Sequence, residues 1–99
     1  MLDQLTFAAF EPLVGSSFWA EFPNGAKVEL RLLSVGKVME SQLARVKRQP
    51  FSLFFLGPKT YQLKQQIYRV AHDSFPTLDL FLVPVRENAD SYEYEAVFT

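Results

Sequence analysis

The residues predict an all-β, mainly antiparallel fold: a small six-stranded barrel or compact sandwich with one short N-terminal helix. Three observations lead there. Six apolar or alternating segments recur at fairly regular spacing, separated by turn residues. Asn24-Gly25 stands between two of them as a hairpin turn. Ten Phe, four Tyr and one Trp favour sheet, and no long amphipathic helix separates the segments as a parallel βαβ arrangement would need. Residues 1–99 are read as one β-rich domain, and a hydrophobic content of 48% excludes intrinsic disorder.

The helix comes first. Thr6 is the expected N-cap, and Phe7, Phe10 and Val14 follow at helical spacing on one face. Pro12 and Gly15 end the segment after one or two turns. Ser17 to Phe22 and Ala26 to Leu32 then form a hairpin, with Val28, Leu30 and Leu32 inward and Lys27, Glu29 and Arg31 in solvent. At Leu32-Leu33 the alternation slips, so a bulge is expected there, with Leu33 and Val35 taking over the inner face. Gly36 to Glu40 extends the strand or leaves it, and Ser41 to Gln49 fits either a long loop or a helical turn closed by Pro50.

Phe51 to Leu56 is apolar at almost every position, which suits a central strand covered on both faces. Tyr61 to Gln66 is polar and reads as a connection. Ile67 to His72 forms the next strand, with turn residues in Asp73-Ser74-Phe75-Pro76. Leu78 to Val85 is again apolar on both faces from Leu80 onward, with Pro84 near its end, where a ladder donor can be spared. Tyr92 to Phe98 alternates as the last strand, leaving Glu93 and Glu95 on its wet face.

Several function classes fall away on composition. Ten basic and eleven acidic side chains give a net charge of −1, without the basic footprint of a nucleic-acid binder. No cysteine is present, so there is no disulfide framework, thiolate metal site or thiol nucleophile. No apolar run approaches the roughly 20 residues of a membrane span, and Met1 to Phe10 lacks a signal-peptide pattern. The chain is therefore expected in the cytoplasm, or within a larger particle.

Chemistry-bearing residues are sparse. His72 is the only histidine, and its neighbours Asp73 and Ser74 alternate across a strand instead of converging as a triad. His72 is read as a strand-end or interior packing residue. Glu87, Asp90, Glu93 and Glu95 lack calcium-loop spacing, and the four glycines form no phosphate cradle. Neither an enzyme, a metal nor a cofactor is expected.

Two surpluses remain. Lys37, Arg45, Lys47 and Arg48 gather positive charge, while residues 87–95 carry four acids and no base. These are ordinary solvated loops, or complementary patches that orient a partner. Fifteen aromatic rings exceed what a core of this size holds, so Trp19, Tyr61, Tyr68, Tyr92 and Tyr94 line the core edge or form a contact surface. The candidate interface residues are Trp19, Tyr61, Tyr92, Tyr94, Arg45, Lys47, Arg48, Glu93 and Glu95.

Four ordered segments carry a family resemblance: Phe10 to Gly15, Pro50 to Pro58, Leu80 to Val85 and Tyr94 to Phe98. Together they resemble a small bacterial domain family of unknown function, found near phage-tail-collar-like, microcystin-dependent fibre proteins. Residues 37–49 depart from it, being longer than the loop it implies. The resemblance implies no catalytic residues and a role as component or assembly helper of a fibre-like or tail-like particle. The expected partner is a fibre or tail-like protein, or a second copy pairing through an exposed strand edge or aromatic patch. The alternative is a small β-barrel binding module for a carbohydrate or peptide.

Overall fold

A computed structural model of the chain describes residues 7–37 and 51–98. One helical turn, α1 (Phe7–Phe10), runs into a 3₁₀ turn (Glu11–Leu13). Six strands follow: β1 (Ser17–Glu21), β2 (Lys27–Lys37), β3 (Phe51–Pro58), β4 (Gln66–His72), β5 (Phe75–Glu87) and β6 (Ser91–Phe98). All neighbouring pairs are antiparallel, and the order β1-β2-β3-β6-β5-β4 closes on itself as a barrel. The expected fold class is therefore present, and the choice between barrel and sandwich falls to the barrel. No helix among the described residues is long and apolar enough to cross a membrane.

Two three-stranded meanders build it. β1–β2–β3 and β4–β5–β6 join along β3–β6 on one side, from Phe51↔Phe98 to Pro58↔Ser91, and along β1–β4 on the other, from Trp19↔Ala71 to Glu21↔Arg69. β5 divides its pairing: Leu78 to Leu82 lie against β4, while Val83 to Glu87 lie against β6. That division lets one long strand bend around the barrel and serve both neighbours.

The first hairpin turns as Asn-Gly predicts, with only Gly25 at positive φ, +91°. Gly25 N–H donates to Phe22 O at 2.9 Å, Phe22 N–H to Ala26 O at 2.8 Å, and Asn24 Oδ1 accepts from Ala26 N–H at 2.9 Å. These contacts suit a turn followed by a left-handed glycine, which matches the twist of the flanking strands. The bulge falls where the alternation slipped, between Leu32 and Ser34. Leu33 was expected inward and is instead exposed, because the bulged residue loses its cross-strand partner; Val35 returns to the core. Val14, expected to share the helix face of Phe10, is also exposed, since the chain leaves helical geometry before it. Thr6 and residues 41–49 lie outside the described residues.

The barrel interior holds Phe18, Leu30, Leu32, Leu53, Phe55, Val70, Leu82 and Tyr94, each fully buried, with Phe18 and Phe55 edge to face at 5.1 Å. Each end is plugged. At one, Phe10 packs at 5.8 Å from Phe51 and 5.4 Å from Phe98, which stack on each other at 4.8 Å. At the other, Leu63 of the β3–β4 connection is fully buried, and its N–H donates to Tyr94 Oη at 2.8 Å. The connection read as polar thus carries a core residue.

Gly57 lies on the inner face of β3, where the Tyr94 ring needs room. A methyl group added there would sit 2.9 Å from Tyr94 Cε2 and 3.0 Å from Leu30 Cδ2, inside contact distance. Gly57→Ala is expected to destabilise by about 1–3 kcal/mol, the usual cost of overpacking, read as a lower denaturant midpoint. An unchanged midpoint would mean that the ring has slack.

Candidate functional site

The outer face of β1, β4 and β5 places unlike side chains in rows across neighbouring strands. One row is charged and alternates in sign. Lys27 faces Glu21, Glu21 faces Arg69, and Arg69 faces Asp79. Lys27 Nζ lies 3.9 Å from Glu21, whereas no ion pair to Arg69 or Asp79 is found among the described residues. The adjacent row is apolar: Ile67, 65% exposed, directly faces Phe81, 48% exposed. Val85 on β5 and Val97 on β6 are further large apolar side chains open to solvent. Large apolar side chains set side by side on a regular wall mark a contact surface more often than scattered ones do.

Reading Leu80 to Val85 as apolar on both faces hid the exposure of Phe81, and reading Ile67 to His72 simply as a strand gave Ile67 no face. The signal was present in parity, because Ile67 shares its face with Arg69, and Phe81 shares its face with Asp79. Each exposed apolar residue is two positions from a charge. Tyr68 and Val70, or Leu80 and Leu82, form the buried set between them.

A second feature lies at the Leu63 end. Phe22, just after β1, meets Tyr61 and Tyr68 edge to face, with centroids 5.9 and 5.8 Å apart. Tyr68 is nearly buried, and its hydroxyl donates to Lys64 O at 2.8 Å. Burial first, then the neighbouring Tyr61, raises the Tyr68 phenol above its ordinary value of 10.0. Tyr61 is mostly exposed. Between this cluster and the start of β4 runs an open groove lined by Phe22, Pro23, Gln66, Ile67, Arg69 and Asp79.

The other candidate residues scatter. Trp19 is exposed on β1 beside Ala71, at a shallow depression shared with His72 and Asp73. Tyr92 is half-buried, with Lys59 Nζ 5.1 Å above its ring. Tyr94 is corrected: its side chain is fully buried at the core centre, because Tyr94, Ala96 and Phe98 form the inward set of β6. Arg45, Lys47 and Arg48 lie outside the described residues.

Two of the four acids of residues 87–95 are ion-paired within the chain, and a third is hydrogen-bonded. Glu87 lies 2.9 Å from Lys59, Glu93 lies 3.7 Å from Arg86, and Glu95 accepts a 2.7 Å hydrogen bond from Ser52. Counting along the sequence missed Lys59, which reaches the β5–β6 turn from the β3–β4 connection and donates to Asn88 O at 2.5 Å. Strand-edge pairing also loses its basis, because each of the six strands has a neighbour on both sides.

His72 closes β4 against the Phe18 ring, 4.4 Å between centroids. Its Nδ1 accepts from Ser74 N–H at 2.9 Å, and its Nε2 lies 2.9 Å from Ser16 Oγ. Ser16 Oγ in turn donates to Leu13 O at 2.5 Å, so its proton is committed and Nε2 is the donor between the pair. A histidine arranged this way ties the 3₁₀ turn to the β4–β5 turn instead of drawing a proton from a nucleophile. His72→Ala is expected to cost about 0.5–1.5 kcal/mol, the net worth of a hydrogen bond whose partners water can reach, measured by thermal unfolding. A change below a few tenths of a kcal/mol would refute the tie.

Among the described residues no three of His, Asp and Glu group as a metal site requires. A family model described as Domain of unknown function (DUF6916) matches residues 5–98. No curated protein and no solved structure matches the chain.

Proposed function

The chain belongs to the DUF6916 family, and on that premise we propose that it is a non-enzymatic structural or assembly protein working through protein–protein contacts. Its partner in this reading is a fibre-like or phage-tail-like protein, and it acts in the cytoplasm or within such a particle. One observation carries the contact role: the cross-strand pair of Ile67 and Phe81, exposed on a closed barrel wall. A closed sheet offers a partner side chains instead of backbone, so recognition falls to residues of this kind. The fibre-like partner rests on the resemblance of residues 10–15, 50–58, 80–85 and 94–98.

An affinity pull-down from the native host tests both parts, with co-purifying proteins identified by mass spectrometry. Stoichiometric recovery of a fibre or tail-like protein is expected, falling about tenfold or more with Ile67→Glu, as loss of a central apolar anchor does. Recovery of the bait alone, as a monomer, would overturn the reading.

A second reading is favoured by the Phe22, Tyr61 and Tyr68 cluster beside the open groove. Rings at the mouth of a barrel suit a binding module for a carbohydrate or peptide. Retention on a polysaccharide column that Tyr61→Ala abolishes would support it.

A further inference from the structure

The β4–β5 wall has a property that a generic contact surface lacks: it is complementary to itself. Its two facing pairs are Ile67 with Phe81 and Arg69 with Asp79. In each pair the β4 residue complements its β5 neighbour, cation against anion and aliphatic against aromatic. A two-fold axis lying between the strands and parallel to them carries β4 of a second copy over β5 of the first. Every residue then meets its own cross-strand neighbour from the other copy. Such isologous contacts are the commonest basis of homodimers.

Charge sets the choice of occupant. Had both strands carried the same sign in this row, the two-fold would oppose like charges and repel a second copy. Instead, Arg69 meets acid on both sides of its row, Glu21 and Asp79. Glu21 already has Lys27 at 3.9 Å. Arg69 and Asp79 have no ion-pair partner among the described residues, so both can turn toward a second copy. Ile67 and Phe81 beside them supply the area that exposed ion pairs alone do not.

We propose that two copies of this chain associate face to face on the β4–β5 wall, each Arg69 meeting Asp79 of the other copy and each Ile67 meeting its Phe81. This rests on the reading of the wall as a protein-contact surface, and adds the chain itself as an occupant, one that excludes the fibre-like partner while it is bound. The patch is small, so the dimer is weak and forms only at high protein concentration, as contacts below the standard interface size do.

Sedimentation velocity up to about 1 mM tests it, a range set by that weakness. The wild-type mass is expected to rise from 11.4 kDa toward twice that value with concentration. Arg69→Asp or Asp79→Arg alone should weaken association about tenfold or more through like-charge contacts, and the double exchange should restore it. Ile67→Asp should leave a monomer, and circular dichroism melts establish that each variant is folded. A wild-type monomer throughout, or a double exchange that fails to restore the dimer, overturns the proposal. If the wild type stays monomeric while the pull-down still recovers a partner that Ile67→Glu loses, self-association falls and the contact role stands.

Discussion

Phe10→Ala is expected to remove about 3–5 kcal/mol of stability, the range for truncating a buried aromatic ring. Phe10 ends α1 with its side chain wholly inside, touching both members of the stacked Phe51–Phe98 pair. The pair joins the first residue of β3 to the last residue of β6. Taking away the third ring leaves that end of the barrel unplugged and the stack facing a void that its neighbours fill only in part. Small domains have only about 5–15 kcal/mol in total, so the variant should lose a large share of its denaturant tolerance. Urea unfolding followed by circular dichroism gives the number. A loss below about 1 kcal/mol would show that the site collapses around the gap, since that spread is set by relaxation.

Tyr94 offers the second large effect, and two substitutions divide it. Tyr94→Ala is expected to cost about 3–5 kcal/mol, because the fully buried ring fills the barrel against Gly57. Tyr94→Phe keeps the ring and removes only the hydroxyl that accepts from Leu63 N–H. Leaving that buried donor unpaired costs about 1–3 kcal/mol. If Tyr94→Phe were neutral, the Leu63 N–H would have found another acceptor, and the plug would be held by packing alone. The phenol adds a pH dependence. Burial raises the Tyr94 pKa above 10.0, against a smaller lowering by the Leu63 N–H. The folded state thus holds the proton more tightly than the unfolded chain. Its contribution is whole below the ordinary phenol value and declines as pH rises through the raised one, so stability should fall in alkali above pH 10.0. Tyr94→Phe should blunt that fall.

Much of the fold was legible because it is written in local patterns. Asn24-Gly25 announced the hairpin, the double Leu at 32–33 announced the bulge, and alternation located the strands within a few residues. What escaped depends on which residues meet from afar. Barrel and sandwich differ in whether β1 finds β4, and no local pattern near Trp19 or Ala71 encodes that pairing. Leu63 is one apolar side chain in a polar connection, and only the open barrel end beneath it explains its burial. Tyr94 has the same composition signal as an exposed tyrosine. Its parity with Ala96 and Phe98 marks it as inward, and that parity deserved more weight than residue type. For the candidate site the reverse holds. Ile67 and Phe81 read as core by residue type and as surface by parity with Arg69 and Asp79, and parity prevailed.

The joining of the two meanders bears on how the chain finds its shape. Each meander pairs strands that follow one another in sequence, so its contacts close at modest loop entropy. Only two seams unite distant parts of the chain, and they are unequal: eight register pairs along β3–β6 against three along β1–β4. The chain is therefore expected to fold by docking two half-sheets, the broad seam before the narrow one, which substitutions at Phe55 and Ala20 would separate by their effects on the folding rate. By the same inequality, amide exchange is expected to be faster at Trp19 to Glu21 than along Phe51 to Pro58, the narrow seam opening while the broad one holds the halves together.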